Sequence, residues 1–525
     1  MSGSSGMSAA TVPVVPTFVN YELTGTWPAL LARTAAGPIK QTPGALTYKM
    51  VQVQDQFLAE SCSIADYNHD GIPDISSGRR WYEGPDFTKV HIFRGGHDAL
   101  PRAGADSEVN DGVSDDWADY PYDVDGDGWT DIIDITNPYN GTAINPAPSP
   151  QPVGTGYWYK NPGTPANGTD NFWTAYVLSS YMGMQEHGLA DVDGDGKPEI
   201  LGACLPTNPP SRGCPDGTPG GYAIKGYHQA DWGNPTAPWT FHAVTRPYAG
   251  PFGGSGLFNG IGMGDINGDG KPDLLELSGA WLQPATLPAA TVAWGGAGPT
   301  YPGSWVPTVF AVPGYLDTAN RGPLGGSQMF AYDVDGDGLA DVISADSAYG
   351  WGLSWYQQLP SGVGSCLGAT TTVTTASPSC FVKHLIMNTN SSADLALYKV
   401  AFSQLHAVQL VDMDGDGLPD ITTGKDWLAD GYEDVDSLGT PVVYVFKLVR
   451  DANPPQAGKA HFEPHLVNAA VSVANPVDAG AFPASWTGGS GTGRQIAIGQ
   501  INPQTDGIMD ICVASKLGLF LYFGQ

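Results

Sequence analysis

A nine-residue phrase, cleanest at Asp412-Met-Asp-Gly-Asp-Gly-Leu-Pro-Asp420, recurs along the chain and limits its fold more than any other feature. Acidic oxygens fall at positions 1, 3, 5 and 9 (Asp412, Asp414, Asp416, Asp420), with glycines where the backbone must fold back on itself. Hard oxygen ligands at alternating positions of a tight turn suit a calcium-sized cation, and the main-chain carbonyl of Leu418 would fill position 7. Five further copies keep the ligand pattern. They are Asp66, Asn68, Asp70 and Asp74, with Ile72 at position 7; Asp123, Asp125, Asp127 and Asp131, with Trp129; and Asp191, Asp193, Asp195 and Glu199, with Lys197. Next come Asp265, Asn267, Asp269 and Asp273, with Lys271, and Asp333, Asp335, Asp337 and Asp341, with Leu339. A seventh copy is worn, with Gln500 and Asn502 leading into Asp506 and Asp510. The expectation is about six structural calcium ions. Seven copies of one unit define a repeat architecture.

The flanks say what the unit is. An apolar strand runs into each loop, as in Leu405–Val411, and a second leaves it, as in Asp341–Ser344. A third carries a Trp/Tyr signature (Trp81-Tyr82, Tyr157–Tyr159, Trp355-Tyr356), and a fourth places His242, His384 and His465 at equivalent positions, where they read as packing features. Four strands per unit and seven units predict an all-β chain folded as a seven-bladed β-propeller of four-stranded antiparallel blades. After Asp510 there is room for two strands only, and the one unassigned strand lies around Tyr48–Gln54. The N-terminal strand is therefore expected to complete the last blade and close the ring, which removes exposed sheet edges. The division that follows is 1–6 as an expression scar, 7–46 as a segment wrapping the surface, and 47–525 as one propeller domain.

Charge needs reading against these loops. The chain carries 53 Asp+Glu against 23 Lys+Arg. The seven copies hold 24 of the acids, so the remainder of the chain is only slightly acidic. No basic stripe survives, which argues against nucleic acid as a partner, and no apolar run is long enough for a membrane span. Cys204 with Cys214, and Cys366 with Cys380, sit in loop-like insertions and read as local staples, which favours an extracellular or periplasmic location. Cys62 and Cys512 fall on predicted strands of the first and last repeats. They read as inert core thiols, with pairing across the closure as the alternative.

The Asp-x-Asp-x-Asp-Gly-x-x-Asp loops with strand flanks resemble the FG-GAP/VCBS repeats of integrin α-chain propellers and of many secreted proteins. More distantly, the chain is similar to the propellers of aldos-2-ulose dehydratase and rhamnogalacturonan lyases. The resemblance implies the propeller fold and calcium loops, while the scaffold itself hosts many functions.

If the loops line one rim, chemistry belongs at the other. Counting six and four residues back from each loop reaches the top of the innermost strands. There Glu60, Asp119, His187, His406 and Arg494 could converge as a general acid/base group, with Gln185, Asn259 and Gln328 as binding groups and Glu186 close by if the register slips by one. A further divalent metal in the channel mouth, held by His187 and His406, is a weaker form of the same idea. The alternative for these residues is a hydrated channel mouth. Trp281, Trp351 and Trp427 fall in or beside the loops and could stack a sugar ring. The expected function is binding of a carbohydrate or glycoconjugate at this face. A lyase that eliminates across a sugar, with His187 or His406 as base and Arg494 as stabiliser, is the alternative. A protein–protein adhesion module is a third possibility.

Overall fold

The computed structural model describes residues 46–95, 99–100, 113–114, 116–136, 156–163, 172–179, 182, 185–204, 224–245, 259–276, 279–288, 305–309, 326–360, 380–429, 434–469, 490–502 and 507–525. The expected wrapping segment up to residue 45, Cys214, Cys366 and Asp506 lie outside these residues.

The chain is a β-propeller of small antiparallel sheets. Five four-stranded sheets stand separately. The first runs Ser63–Ala65, Asp74–Ser77, Arg80–Glu83, Lys89–Ile92, and the second Asp116–Tyr122, Asp131–Thr136, Gly156–Lys160, Thr174–Ser179. Two more begin at Gly188–Ala190 and Val408–Val411. The last takes Ile496–Gly499, Asp510–Ser515 and Gly518–Gly524 from the C-terminus, and Tyr48–Gln54 pairs antiparallel with Gly518–Gly524. Where the repeats predict seven blades, five separate sheets are found together with an eight-stranded one. The larger sheet is two four-stranded halves joined by parallel pairing of Ile261–Gly264 with Gln328–Tyr332.

The reason for the joining is written in Gly260-Ile-Gly-Met-Gly264. A Cβ on Gly262 would lie 1.9 Å from the Met329 carbonyl oxygen, and one on Gly264 would lie 2.5 Å from Ala331 Cβ. In this pairing neither position has room for a Cβ, so glycine is needed where the two strands come this close. Gly262→Ala should therefore push these strands apart and cost about 1–3 kcal/mol by overpacking. Urea titration of the purified variant reads this directly, and an unchanged midpoint would show that the close approach is not needed.

Packing follows from the pattern of each strand. The first strands are buried along their length and lie side by side. Ser63–Ala65 neighbours both Asp116–Tyr122 and Ile496–Gly499, and Val408–Val411 neighbours Gln328–Tyr332 and Ile496–Gly499. Outer strands are half exposed and are held by aromatic cross-strand pairs. Trp81 stacks on His91 at 3.8 Å, Tyr227 on His242 at 4.7 Å and Trp355 on His384 at 4.3 Å, each pair directly opposite in register. Such pairs are worth about 0.5–1.5 kcal/mol beyond their burial, and they account for His242 and His384 as packing residues. Cys62 and Cys512 are joined by a disulfide between the first and last repeats, so the reading of them as inert thiols is corrected. Cys380 is also disulfide-bonded. Among the described residues no helix is long and apolar enough to cross a membrane.

Candidate functional site

Each acidic loop is tied together by its own backbone amides. In the second copy Asp123 accepts hydrogen bonds from the amides of Gly126, Asp127 and Gly128, and Asp127 accepts from Trp129 N. The turn needs left-handed backbone at the two glycines, Gly126 (φ 73) and Gly128 (φ 93). The position-9 acid has a different task. Asp131 accepts from Val124 N at 3.0 Å and from Asn161 N at 2.7 Å, so it ties the loop to the third strand. Asp74, Asp273, Asp341 and Asp420 each make the same pair of bonds, and Glu199 makes the first of them.

What remains of each loop is a set of oxygens. Carboxylate atoms of Asp123, Asp125 and Asp127 lie within 4.8 Å of one another, as do those of Asp191, Asp193 and Glu199, of Asp333, Asp335 and Asp341, and of Asp412, Asp414 and Asp420. An all-oxygen donor set at this spacing fits a hard divalent cation. In two loops a lysine ammonium is seated on these oxygens: Lys160 on Asp125 and Asp127, and Lys447 on Asp414 and Asp416. At the equivalent place two other loops carry a neutral amide, Gln229 on Asp193 and Gln357 on Asp335. Burial pushes the position-9 acids up without a cation, Asp131 and Asp420 to about 8 and Asp273 to about 7. Among the described residues the worn seventh copy keeps the structural half of the design. Asp510 still accepts from Ile501 N, Asn502 N and Gly524 N, while the side-chain amide of Gln500 donates to the Ile508 carbonyl.

At the other end of the innermost strands several sequence candidates do meet. The Oε1 of Gln185 accepts from Arg494 Nη1 (2.6 Å), Tyr349 Oη (2.5 Å) and Asn259 Nδ2 (3.1 Å). Arg494 Nη1 also lies 2.8 Å from His406 Nδ1, and Glu186 Oε1 lies 3.3 Å from the same nitrogen. The two contacts ask opposite roles of His406 Nδ1: it accepts from the Arg494 guanidinium when it carries no proton and donates to the Glu186 carboxylate when it does. Arg494 Nε is 3.6 Å from Glu60 and 3.5 Å from Asp426, and Lys516 Nζ is 3.4 Å from Glu60. Glu60, Glu186, His406 and Arg494 are fully buried, whereas Tyr349 is half-buried with its ring 4.6 Å from that of His406, and Trp351, two residues on, is half-buried too. Sequence reasoning missed Tyr349, Asp426 and Lys516, because they enter from loops whose return path no periodicity reports.

Other candidates go elsewhere. Gln328 bridges neighbouring innermost strands, accepting from Val408 N and donating to the Arg494 carbonyl. His187 lies with His228 around the space that a Cβ on Gly202 would fill, 3.4 Å from His187 Cδ2 and 3.7 Å from His228 Nε2. Burial lowers both imidazoles to about 3, so His187 is a neutral core residue apart from the Arg494 group. Asp119 lies with Asp116, Asp134 and Arg94 in a second buried group, which adjoins the Arg494 group through Glu60, whose amide donates to the Asp116 carbonyl. Trp281 is buried, with its indole N–H on Glu276, and Trp427 is buried in the core.

The FG-GAP-like repeat family model matches residues 123–202, which span the second and third loops. No curated protein matches the sequence. Among solved structures the chain is similar to an Agrocybe aegerita lectin described as specific for non-reducing terminal N-acetylglucosamine, at 17% identity over 80% of this chain and 81% of that one, with a TM-score of 0.36. It is similar to a rhamnogalacturonan lyase at 12% identity over 93% and 74% of the two chains, with a TM-score of 0.37. A rhamnogalacturonan lyase of Bacillus licheniformis follows at 14% identity over 87% and 80%, with a TM-score of 0.29. At such scores these likenesses carry nothing about activity.

Proposed function

We propose that the protein is an extracytoplasmic propeller of seven blades, stabilised by calcium, that binds a carbohydrate or glycoconjugate at the rim opposite its acidic loops. Counting the eight-stranded sheet as two supports seven blades, and the pairing of Tyr48–Gln54 with Gly518–Gly524 supports closure of the ring by the N-terminal strand. The Cys62–Cys512 disulfide supports an oxidising compartment. The oxygen donor sets of the loops support calcium.

The observation that carries the binding reading is the placement of half-buried Tyr349 beside the buried group of Gln185, Asn259, Glu186, His406 and Arg494, with half-buried Trp351 two residues further along the same segment. Sugar hydroxyls are met by fixed amide, carboxylate and guanidinium groups, and the apolar face of the ring by an aromatic side chain. The same geometry disfavours elimination chemistry. Arg494 Nη1 and Glu186 Oε1 both lie against His406 Nδ1, and His187 packs with His228.

A glycan array followed by calorimetry tests the proposal. One glycan class should bind, and Tyr349→Ala or Trp351→Ala should weaken it at least tenfold, about 1.4 kcal/mol, with an unchanged melting temperature. Absence of binding by the folded protein, or affinity indifferent to both substitutions, sinks the reading. Ultraviolet-absorbing products from any glycan would replace it with a lyase.

A further inference from the structure

The group around Asp119 is built differently from the acidic loops. Asp119 and Asp134 stand directly opposite each other on antiparallel strands, a like-charge pairing that is unfavourable by itself. Asp116, three residues earlier, would face the other side of a regular strand. A shift of register between Asp116 and Ala118 turns it back toward its partners. Carboxylate atoms of the three then lie within 4.8 Å of one another, with exposures of 1%, 0% and 0%.

The protein supplies some partners and stops short. Gly78 N donates to Asp116 Oδ2 at 2.7 Å, Ser76 Oγ to Asp119 Oδ2 at 3.0 Å, and Arg94 Nε pairs with Asp134 at 2.5 Å. Asp119 Oδ1 accepts no hydrogen bond. A second, independent orphan is the phenol of Tyr159, which is fully buried, makes no hydrogen bond, and interacts electrostatically with Arg94, Asp134 and Asp119. Its strand places it on the face that carries Asp134, since Tyr159 opposes Ile132 and Tyr157 opposes Asp134. Fully ionised, the three carboxylates outnumber the Arg94 guanidinium seated on them, and Glu60 adds to the negative field at Asp116; a buried group relieves such a charge by taking up a proton or by holding a cation.

We propose that Asp116, Asp119, Asp134 and the Tyr159 hydroxyl hold a hard divalent cation inside the second blade, separate from the acidic loops. Oxygen donors select calcium, magnesium or manganese over softer metals. Full burial means that this ion exchanges only when the blade opens, whereas ions in the exposed loops leave readily.

The experiment is to refold the protein in excess calcium, and separately in excess manganese, then dialyse it while folded against EDTA and count retained ions by native mass spectrometry. Wild type should retain a single ion per chain with at least one of the two metals, and Asp119→Asn should retain none. Tyr159→Phe, which keeps the ring, should lose the ion at least tenfold faster and serves if the Asp119 variant does not fold. Wild type that retains no ion after either treatment overturns the proposal, as does equal retention by all three proteins. The ions released rapidly report on the loops, so failure there and failure here are read separately.

Discussion

Excess EDTA, applied until no fast-exchanging ion remains, is expected to lower the melting temperature by about 15 °C or more. A ligand present at 100 times its dissociation constant stabilises by about 2.7 kcal/mol per site. The six complete loops would together contribute roughly 16 kcal/mol, and a chain of this size shifts by on the order of 1 °C per kcal/mol. The loss should be uneven. Lys160 and Lys447 each place an ammonium on the carboxylates of their loops, and the worn loop has replaced its outer acids with Gln500 and Asn502. Among the described residues the loops of Asp66, Asp191 and Asp265 have no cationic side chain on their carboxylates, although Gln229 donates to Asp193; the Asp333 loop stands between, with Arg450 on the carbonyls of Asp333 and Val334 and Gln357 on Asp335. Hydrogen exchange in EDTA should therefore show the loops of Asp66, Asp191 and Asp265 losing protection first, and the loops of Asp123, Asp412 and Asp510 last. An unchanged melt removes the structural role of the cation; uniform loss of protection removes the role assigned to the lysines.

The sequence shows the loops, their order and the strands around them, because each is local and periodic. Position 9 shows the limit of that reading. A ligand pattern treats Asp510 as the remnant of a binding site, while the structure shows a carboxylate that ties two backbone segments and would be kept without any ion. Counting back along the innermost strands places Gln185, Asn259, His406 and Arg494 at one level, and they do meet. The same counting puts His187 and Asp119 with them, and both are elsewhere. Asp119 turns toward Asp134 through a cross-strand pairing next to an irregular register, and His187 packs with His228. Neither a bulge nor an inter-strand partner has a one-dimensional signature. Trp281 fails as an exposed platform for a related reason: it pairs with Leu274 in the sheet and its indole finds Glu276.

Acid should unfold the protein by way of two histidines no motif singled out as a pair. His187 and His228 are fully buried, none of their four ring nitrogens makes a hydrogen bond, and burial lowers both to about 3. The groups that act on His228 besides burial are His187 and His242, both of which disfavour its charge, and the ring of Phe241 lies 4.8 Å away. For His187 burial alone is responsible. Both pKa values are depressed below the unfolded value, so their stabilisation is complete above about pH 6.5 and declines as pH falls toward about 3. Each histidine then removes about 1.4 kcal/mol per pH unit, so at about pH 4.5 the pair costs on the order of 5 kcal/mol. Urea titrations in excess calcium at about pH 7 and pH 4.5 measure the total, to which the loop carboxylates also contribute. The variant His187→Phe isolates the histidine share, because it removes one titrating ring while leaving every loop intact. Its stability loss between the two pH values should be smaller than that of wild type by about 2–3 kcal/mol. Identical pH dependence in the two proteins would mean that the imidazoles are hydrated or partnered in solution and take no part in acid unfolding.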